Sequence, residues 1–309
     1  NYSSTDTITI SGGGGSNATA TLTIGPTTGV YPGVCSYFQG RRVYASTANN
    51  PDTYWMSQSG YYTNMDQGII PIASDSIVGT PWAQQVNGIQ ALVPMPGGLV
   101  TFTGLGVWQI SGQGGATAPI TPDSQSAQPQ AANGCHDNIQ PIAIGYDILY
   151  VQAKGSIVRD ISYSFYSNIY SGTDLSVMSD HLFTGHQLVE WAWSEEPNKI
   201  VWAIRDDGTL LSLTYLKEQS GSDARPQTVG WARHDTNGLF VSVCSIAEPP
   251  VDAIYVIVQR YVNSKWLYFI ERMDNRIWNT IEDTWCVDAG LSLTQNTPAA
   301  TLTLDTATG

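Results

Sequence analysis

The apolar positions between residues 188 and 233 fall in short runs with the period of β-strands and not of helices. Four such runs follow one another at residues 188–193, 199–205, 209–215 and 229–233. Between the second and third runs, Asp206-Asp207-Gly208 predicts a tight turn, because Asp and Gly tolerate the positive φ that short hairpin loops need. The pattern predicts one antiparallel sheet of four short strands.

Both faces of the middle hairpin in this sheet carry apolar side chains. Leu211, Leu213 and Tyr215 share one face of the third run, and apolar residues also occupy the opposite face. Sheets that stack face to face cover both surfaces, as the blades of a β-propeller do around a common axis. We therefore expect neighbouring sheets on both sides.

Similar hairpins recur along the chain at intervals of 49–56 positions. Residues 148–151 correspond to 99–102, Gly208 follows Gly155 by fifty-three positions, and Arg260 follows Arg205 by fifty-five. A four-stranded blade occupies roughly 40–50 residues. The sequence thus predicts an all-β fold, a β-propeller built of degenerate four-stranded antiparallel blades, with small β and loop additions and about five visible units.

The other units are predicted from the same pattern and from their turn residues. Thr173 and Asp174 are expected to cap one short helix over 175–182. Residues 112–134 are predicted to form a long, exposed and mobile polar loop, and 66–88 an irregular segment. Residues 49–52 are predicted to form a loop between two strands, at 38–46 and 53–57. Further strands are predicted within the segments 89–111 and 139–165, and at residues 253–258 and 266–270.

Three segments are predicted along the chain. Residues 1–27 contain alternating runs at 7–10 and 19–24 around four glycines, Gly12 to Gly15, and are interpreted as a β-hairpin or linker from a neighbouring domain. Residues 28–290 form the propeller. Residues 291–309 are expected to lead out to a further domain, since 301–306 resemble a strand that has just begun. With no initial Met and no signal-peptide pattern, the chain is interpreted as a fragment of a longer polypeptide.

Composition and charge narrow the functional classes. The chain of 309 residues is 42% hydrophobic, with ten Trp and sixteen Tyr, and only 13% charged, which is typical of a β-rich protein with many turns. No stretch has the ~18–20 apolar residues of a membrane span. The net charge of −13 argues against a nucleic-acid-binding surface. An acidic wall would instead repel phosphate and let a polymer pass without adhering.

The four cysteines, Cys35, Cys135, Cys244 and Cys286, are widely separated and include no C-x-x-C pair. This spacing does not indicate a metal site and favours buried free thiols. One disulfide remains open, and the spacing does not identify its partners.

Two groups of polar residues are candidates for chemical sites. Asp180, His181, His186 and Glu190 lie close in sequence, but the histidines do not have the i, i+4 spacing of a helical zinc pair. We interpret this stretch as a capped helix end and loop. Residues 205–209 and 234–238 contain carboxylates, but they also have the composition that turns require.

The aromatic residues leave a second function class open. Propeller glycosidases use paired carboxylates, and aromatic rings form platforms for sugars. The repeated Ser-x-Asp-x-Gly-x-x-Trp box of sialidase propellers is absent, as are a nucleophile elbow, a Walker loop and a Rossmann fingerprint. Because the aromatics alternate with aliphatics in predicted strands, we favour a core role for them. A glycan-binding or glycan-cleaving propeller is the alternative function.

Several strings, in the right order, resemble the propeller of tail nozzle (tail tubular or hub-type) proteins of short-tailed bacteriophages. The resemblance spans about residues 28–290. It rests on Arg205-Asp206-Asp207-Gly208-Thr209-Leu210 and Trp231-Ala232-Arg233-His234-Asp235, and on residues 31–43, 50–60, 159–163, 170–176, 181–183 and 196–202. Members of that family are usually longer, with further domains.

The resemblance implies a structural role in the virion tail, for a protein made in the bacterial cytoplasm. It implies a ring of copies of this chain, a hexamer, below the portal and adaptor, with attachment points for fibre or spike proteins. Phage DNA would pass through without sequence-specific binding, and no membrane insertion is expected. The family is not enzymatic, so we predict no catalytic residues, no cofactor and no metal ligands.

Overall fold

The computed structural model describes residues 28–81, 87–114, 118–164, 169–217, 227–274, 278–281, 288 and 290. Within these residues the chain is all-β, and its strands form five sheets. The strands are β1 (Pro32–Phe38), β2 (Arg41–Thr47), β3 (Tyr54–Met56), β4 (Ile77–Gly79), β5 (Ile89–Met95), β6 (Gly98–Thr103), β7 (Val107–Gly112), β8 (Gln125–Ala131), β9 (Ile142–Ile144), β10 (Asp147–Val151), β11 (Val158–Ser164), β12 (Ile169–Ser171), β13 (Leu188–Ser194), β14 (Ile200–Arg205), β15 (Leu210–Lys217), β16 (Gln227–His234), β17 (Leu239–Glu248), β18 (Val251–Val262) and β19 (Lys265–Arg272). The strands predicted at 7–10, 19–24 and 301–306, and the glycines between the first two, lie outside the described residues.

Each sheet is a meander of strands that follow one another in sequence. The orders are β1-β2-β3-β4, β5-β6-β7-β8, β9-β10-β11-β12 and β13-β14-β15-β16, and the described part of the fifth sheet is β17-β18-β19. The fourth sheet confirms the four strands predicted from residues 188–233. Its predicted turn is confirmed too, since Gly208 has φ +77° and its N–H donates to the Arg205 carbonyl at 3.0 Å.

Both faces of the fourth sheet are covered, as the apolar pattern predicted. Leu211, Leu213 and Tyr215 pack in one cluster with residues of the third sheet, among them Leu149 and Val158. The opposite face packs against the fifth sheet in a second cluster. That cluster comprises Trp202, Ile204, Leu210, Phe240, Val243, Ile254, Val256 and Val258.

The contacts divide the chain into two compact units. One contains residues 1–103 and 109–128, and the other contains 104–108 and 129–309. In the first unit, the core joins the first two sheets through Val43, Ala45, Met56, Ile89, Leu99 and Ile110. The second unit contains the third, fourth and fifth sheets with the clusters described above.

Three local predictions need correction. Residues 38–46 are not one strand, because a turn with positive φ at Gln39 and Gly40 joins β1 to β2. The predicted irregular segment 66–88 contains β4, and the predicted polar loop 112–134 contains β8. β8 is an edge strand in which polar residues and Pro129 are tolerated, so it lacks the alternation that would have indicated it.

The predicted helix is shorter than expected. The structure contains a 3₁₀ helix at Val177–Leu182. Its N-cap is Ser176, which makes no side-chain capping hydrogen bond, so the predicted cap by Thr173 and Asp174 is wrong. Asp174 Oδ1 instead accepts the Ser176 N–H at 2.8 Å and hydroxyl at 2.6 Å, just before the helix. Among the described residues, no helix is long and apolar enough to cross a membrane.

The cysteine prediction holds for one of the three described thiols. Cys135 is buried, and this burial raises the pKa of its thiol to about 12. Cys35 and Cys244 are free but exposed, so the expectation of buried thiols is wrong for them. Both lie on sheet faces that β1 and β17 present to solvent, whereas Cys286 is outside the described residues.

Candidate functional site

His186, Asp206 and Asp207 form a cluster in which a metal ion could be considered. His186 Nδ1 lies 3.0 Å from Asp206 Oδ1, whereas its Nε2 lies 3.9 Å from Asp207 Oδ2. One ligand atom from each residue lies within 4.8 Å of the others, so the spacing alone would admit a metal ion. The sequence had grouped His186 with His181 and Glu190 instead.

Asp207 is already engaged within its own turn. Both of its oxygens accept from the Arg205 guanidinium, and Oδ1 also accepts the Thr209 N–H at 3.1 Å. The Arg205 hydrogen bond, aided by that from Thr209, outweighs desolvation and holds the pKa of Asp207 well below its usual range. Arg205 also donates to the Leu182 carbonyl at 2.6 Å. Arg205 and Asp207 therefore connect the hairpin between β14 and β15 to the end of the 3₁₀ helix.

The structure places a Ser–His pair on adjacent strands that sequence reasoning did not connect. Ser212 Oγ in β15 lies 2.8 Å from His234 Nε2 in β16. Ser212 is buried in the middle of its sheet, and the Trp202 ring packs 5.2 Å from the His234 ring. A nucleophilic serine needs access to a substrate carbonyl, which this position does not provide. Asp235, the other carboxylate considered in this region, pairs with Arg233 on the surface.

A buried charged cluster joins the third and fourth sheets, and it consists of Asp147, Asp160, Tyr215 and Lys217. Lys217 Nζ lies 3.1 Å from Asp147 Oδ1 and 3.0 Å from Asp160 Oδ2. The Tyr215 hydroxyl is 3.3 Å from a carboxylate oxygen of each aspartate. The Lys217 ammonium thus occupies the space between the two carboxylates, which a substrate or a metal cation would otherwise have to fill.

The protonation states of this cluster follow from its contacts. Burial would raise the pKa of Asp160, but hydrogen bonds from Thr173 and Lys217 outweigh it and lower that pKa overall. For Tyr215, desolvation and the two neighbouring carboxylates both raise the pKa of the hydroxyl. The contacts thus favour the charged form of Asp160 and the neutral form of Tyr215, which suits a structural ion pair.

A groove of about 350 Å³ lies between the edge of the third sheet and the edge of the fourth. One wall is the segment 138–142, which leads into β9, and the other is the first strand of the fourth sheet, residues 189–193. Trp191 Nε1 donates to the Gln140 carbonyl at 2.8 Å and fixes the two walls together. Trp191 and Trp193 are half-buried, packing on one side against the core between the two sheets.

A second hollow lies between the fourth and fifth sheets, near Pro197, Asp252 and Arg272. Its volume of about 60 Å³ accommodates water rather than an organic ligand. The Asp252 carboxylate accepts the N–H groups of Glu195 and Glu196 at 2.7 and 3.0 Å and so orders this loop. The larger groove is therefore the better candidate for ligand binding.

Sequence reasoning assigned the alternating aromatics to the core, and the structure modifies that assignment. Tyr54, Tyr150, Tyr170 and Tyr215 are fully buried, in agreement with it. Among the described tryptophans, however, only Trp202 is buried. In the sequence, the groove is indicated by the Trp-Ala-Trp alternation at residues 191–193. The same alternation occurs in core strands, so it does not by itself distinguish a groove-lining edge strand from a buried one.

No protein-family model and no curated protein sequence matches the chain. Among solved structures, human WBSCR16 aligns with a TM-score of 0.42 and 14% identity, over 77% of this chain and 64% of that one. The chain thus spans less than two thirds of the length of WBSCR16. A luciferin-regenerating enzyme aligns with a TM-score of 0.25 and 10% identity, over 71% of this chain and 80% of that one. Similarity at these levels does not extend to function.

Proposed function

We propose that the chain is a structural subunit of a bacteriophage tail, a nozzle protein whose sheets are the blades of a β-propeller and whose copies form a ring around the DNA exit channel. The strings that resemble nozzle proteins motivate the tail assignment. The polar residues in several of those strings, such as Arg205 and Asp207, make contacts that brace hairpins. The proposal accordingly assigns them to the scaffold and not to catalysis.

The observation that carries the proposal is the exposed outer face of the fifth sheet. Trp266, Tyr268 and Ile270 alternate along β19 and are 55%, 64% and 79% exposed. Tyr261 pairs with Trp266 and Ile257 with Ile270, so β18 extends the same face. Soluble monomers rarely leave contiguous apolar surfaces of this kind uncovered, and such surfaces mark sites of assembly.

The first sheet, in the other unit, has a similar outer face. Tyr37 and Tyr44 lie there on β1 and β2, and the Arg42 guanidinium lies 5.4 and 6.0 Å from the centroids of their rings. Trp55 and Val78, paired across β3 and β4, continue the face. A molecule with two different apolar faces can associate head to tail, so that one face of each copy contacts the other face of the next copy. Such a heterologous contact gives a ring when the rotation from one copy to the next adds up to a full turn.

The packing of the first strands supports the propeller component of the proposal. Within one unit β1 lies beside β5, and within the other β13 lies beside β17. In a propeller, the first strands of successive blades approach one another around the axis. Net charge −13 suits a channel wall that DNA passes without adhering. Tight, salt-sensitive binding of DNA to the assembled ring would contradict this last point.

We expect the purified chain to assemble through the fifth-sheet face. Negative-stain electron microscopy should show rings or tubes with a central channel, and light scattering should give a mass several times 33.4 kDa. The double substitution Tyr268→Glu/Ile270→Glu places charges on the exposed face and should leave the protein monomeric with unchanged circular dichroism. Association would bury the two new carboxylates in the interface without a partner of opposite charge, and this opposes association strongly.

Met178 provides the matched control. It is 91% exposed on the 3₁₀ helix, away from the sheet face, so Met178→Glu makes a comparable apolar-to-acidic change. The control variant should assemble as the parent chain does. A parent chain that stays monomeric at all concentrations, or a face variant that still assembles, would contradict the proposed role of this face.

A further inference from the structure

We propose that the groove between residues 138–142 and 189–193 is a binding site for a neutral saccharide, of one or two pyranose rings. The inference is independent of the tail assignment, because it rests only on the chemistry of the groove. With a volume of about 350 Å³, the groove is at the lower end of the range for small-molecule sites, about 300–1,000 Å³.

The apolar part of the groove is held rigidly. Trp191 is fixed by its indole N–H, which donates to the Gln140 carbonyl, and Trp193 packs with it against the core. Pro141 and Ile142 complete the apolar lining from the other wall. An aromatic surface whose orientation is already fixed binds the apolar face of a sugar ring without the entropic cost of ordering side chains.

The polar part of the groove suits hydroxyl groups. The side chains of Asn138 and Gln140 are exposed at its wall, and neither side-chain amide has a hydrogen-bond partner within the described part of the chain. Each amide offers two N–H donors and a carbonyl acceptor. Adjacent hydroxyl groups of a sugar both donate and accept hydrogen bonds, so they are suitable partners for these two side-chain amides.

The charges around the groove select for a neutral ligand. Among its lining residues there is no Lys, Arg or His, and the chain carries a net charge of −13, which disfavours phosphates and acidic sugars. The one carboxylate, Glu190, is held by the Ser242 hydroxyl at 3.2 Å and the Val243 N–H at 3.4 Å. Glycoside hydrolysis needs a pair of carboxylates, so the lining residues support binding without cleavage.

The test titrates the intact chain with five neutral disaccharides, namely maltose, cellobiose, lactose, chitobiose and mannobiose, using calorimetry and tryptophan fluorescence. We expect saturable binding of at least one, with a Kd in the millimolar range, and no binding of sialyllactose or glucose 6-phosphate. The double substitution Asn138→Ala/Gln140→Ala should weaken binding about tenfold, the effect of two lost hydrogen bonds of ordinary strength. Both side chains are exposed, so this variant should fold normally.

Trp191→Leu should abolish the fluorescence response and the binding, and Trp266→Leu is its control. Trp266 is an exposed tryptophan on the fifth sheet, far along the chain from the groove, and its replacement should leave the affinity unchanged. The proposal is overturned if none of the five neutral disaccharides saturates. It is equally overturned if the acidic sugars bind as tightly, or if the Asn138/Gln140 variant binds as the parent does.

Discussion

Replacing Lys217 by methionine is expected to lower the free energy of unfolding by about 3–5 kcal/mol, the usual cost of removing one partner from a buried ion pair. Lys217 lies within hydrogen-bond distance of both Asp147 and Asp160, and all three side chains are at most 12% exposed. Methionine fills a similar volume but leaves two carboxylates without their cation. Urea denaturation followed by circular dichroism measures the change.

Lys199→Met provides the control for this substitution. Lys199 is exposed just before β14, so the same chemical change there should alter the free energy of unfolding by no more than about 0.5 kcal/mol. A second variant, Lys217→Met combined with Asp160→Asn, should recover part of the loss, because it removes one of the two buried negative charges that the Lys217 ammonium had balanced. If Lys217→Met costs no more than Lys199→Met, the cluster does not stabilise the contact between the third and fourth sheets.

The same cluster predicts how stability depends on pH. The folded-state pKa of Asp160 is lowered, so its contribution is present above the unfolded-state pKa of about 3.9 and is lost as the pH falls through the folded value. In Lys217→Met the desolvation that raises this pKa remains, while the main opposing charge is gone. Acid titration followed by circular dichroism should therefore show unfolding of the variant at a higher pH than the parent. An unchanged midpoint would contradict this assignment.

The fold could be predicted where burial imposes a regular pattern. Strands β13 to β16 carry apolar residues on both faces, and the turn at Asp206-Asp207-Gly208 has few alternatives, so sequence and structure agree there. β8 escaped prediction because an edge strand needs no apolar alternation. The packing of one sheet on the next depends on contacts between distant segments, which a local pattern does not encode.

The candidate sites were harder to predict than the strands. Asp147 and Lys217 are seventy positions apart, and only the packing of β10 and β11 on β15 brings their charges together. The groove likewise combines two segments about fifty positions apart, neither of which has a recognisable ligand motif. By contrast, the adjacent carboxylates of Asp206 and Asp207 are conspicuous in the sequence. In the structure Asp207 braces its own turn, and Asp206 contacts His186.

Replacing Arg41 by methionine should destabilise the first sheet by about 3 kcal/mol, because it leaves two buried carbonyl groups and a third, partly buried one without this donor. Arg41 is 3% exposed. Its guanidinium donates to the Ser57, Ala73 and Asp75 carbonyls at 2.7, 2.8 and 2.6 Å. The effect should be local, so limited proteolysis should cut within residues 57–76 at lower protease concentration than in the parent chain.

The neighbouring Arg42 makes a closely matched control for this prediction. It points to the opposite face of β2, where it contacts the exposed ring of Tyr37 and the half-buried ring of Tyr44. Within the described part of the chain its guanidinium contacts no buried carbonyl. Arg42→Met should therefore leave proteolysis of 57–76 unchanged. Arg41→Lys retains the charge but loses the planar fork that reaches three carbonyls at once, so it should restore only part of the protection. Equal effects of Arg41→Met and Arg42→Met would show that charge on β2, and not the carbonyl contacts, determines the stability of this segment.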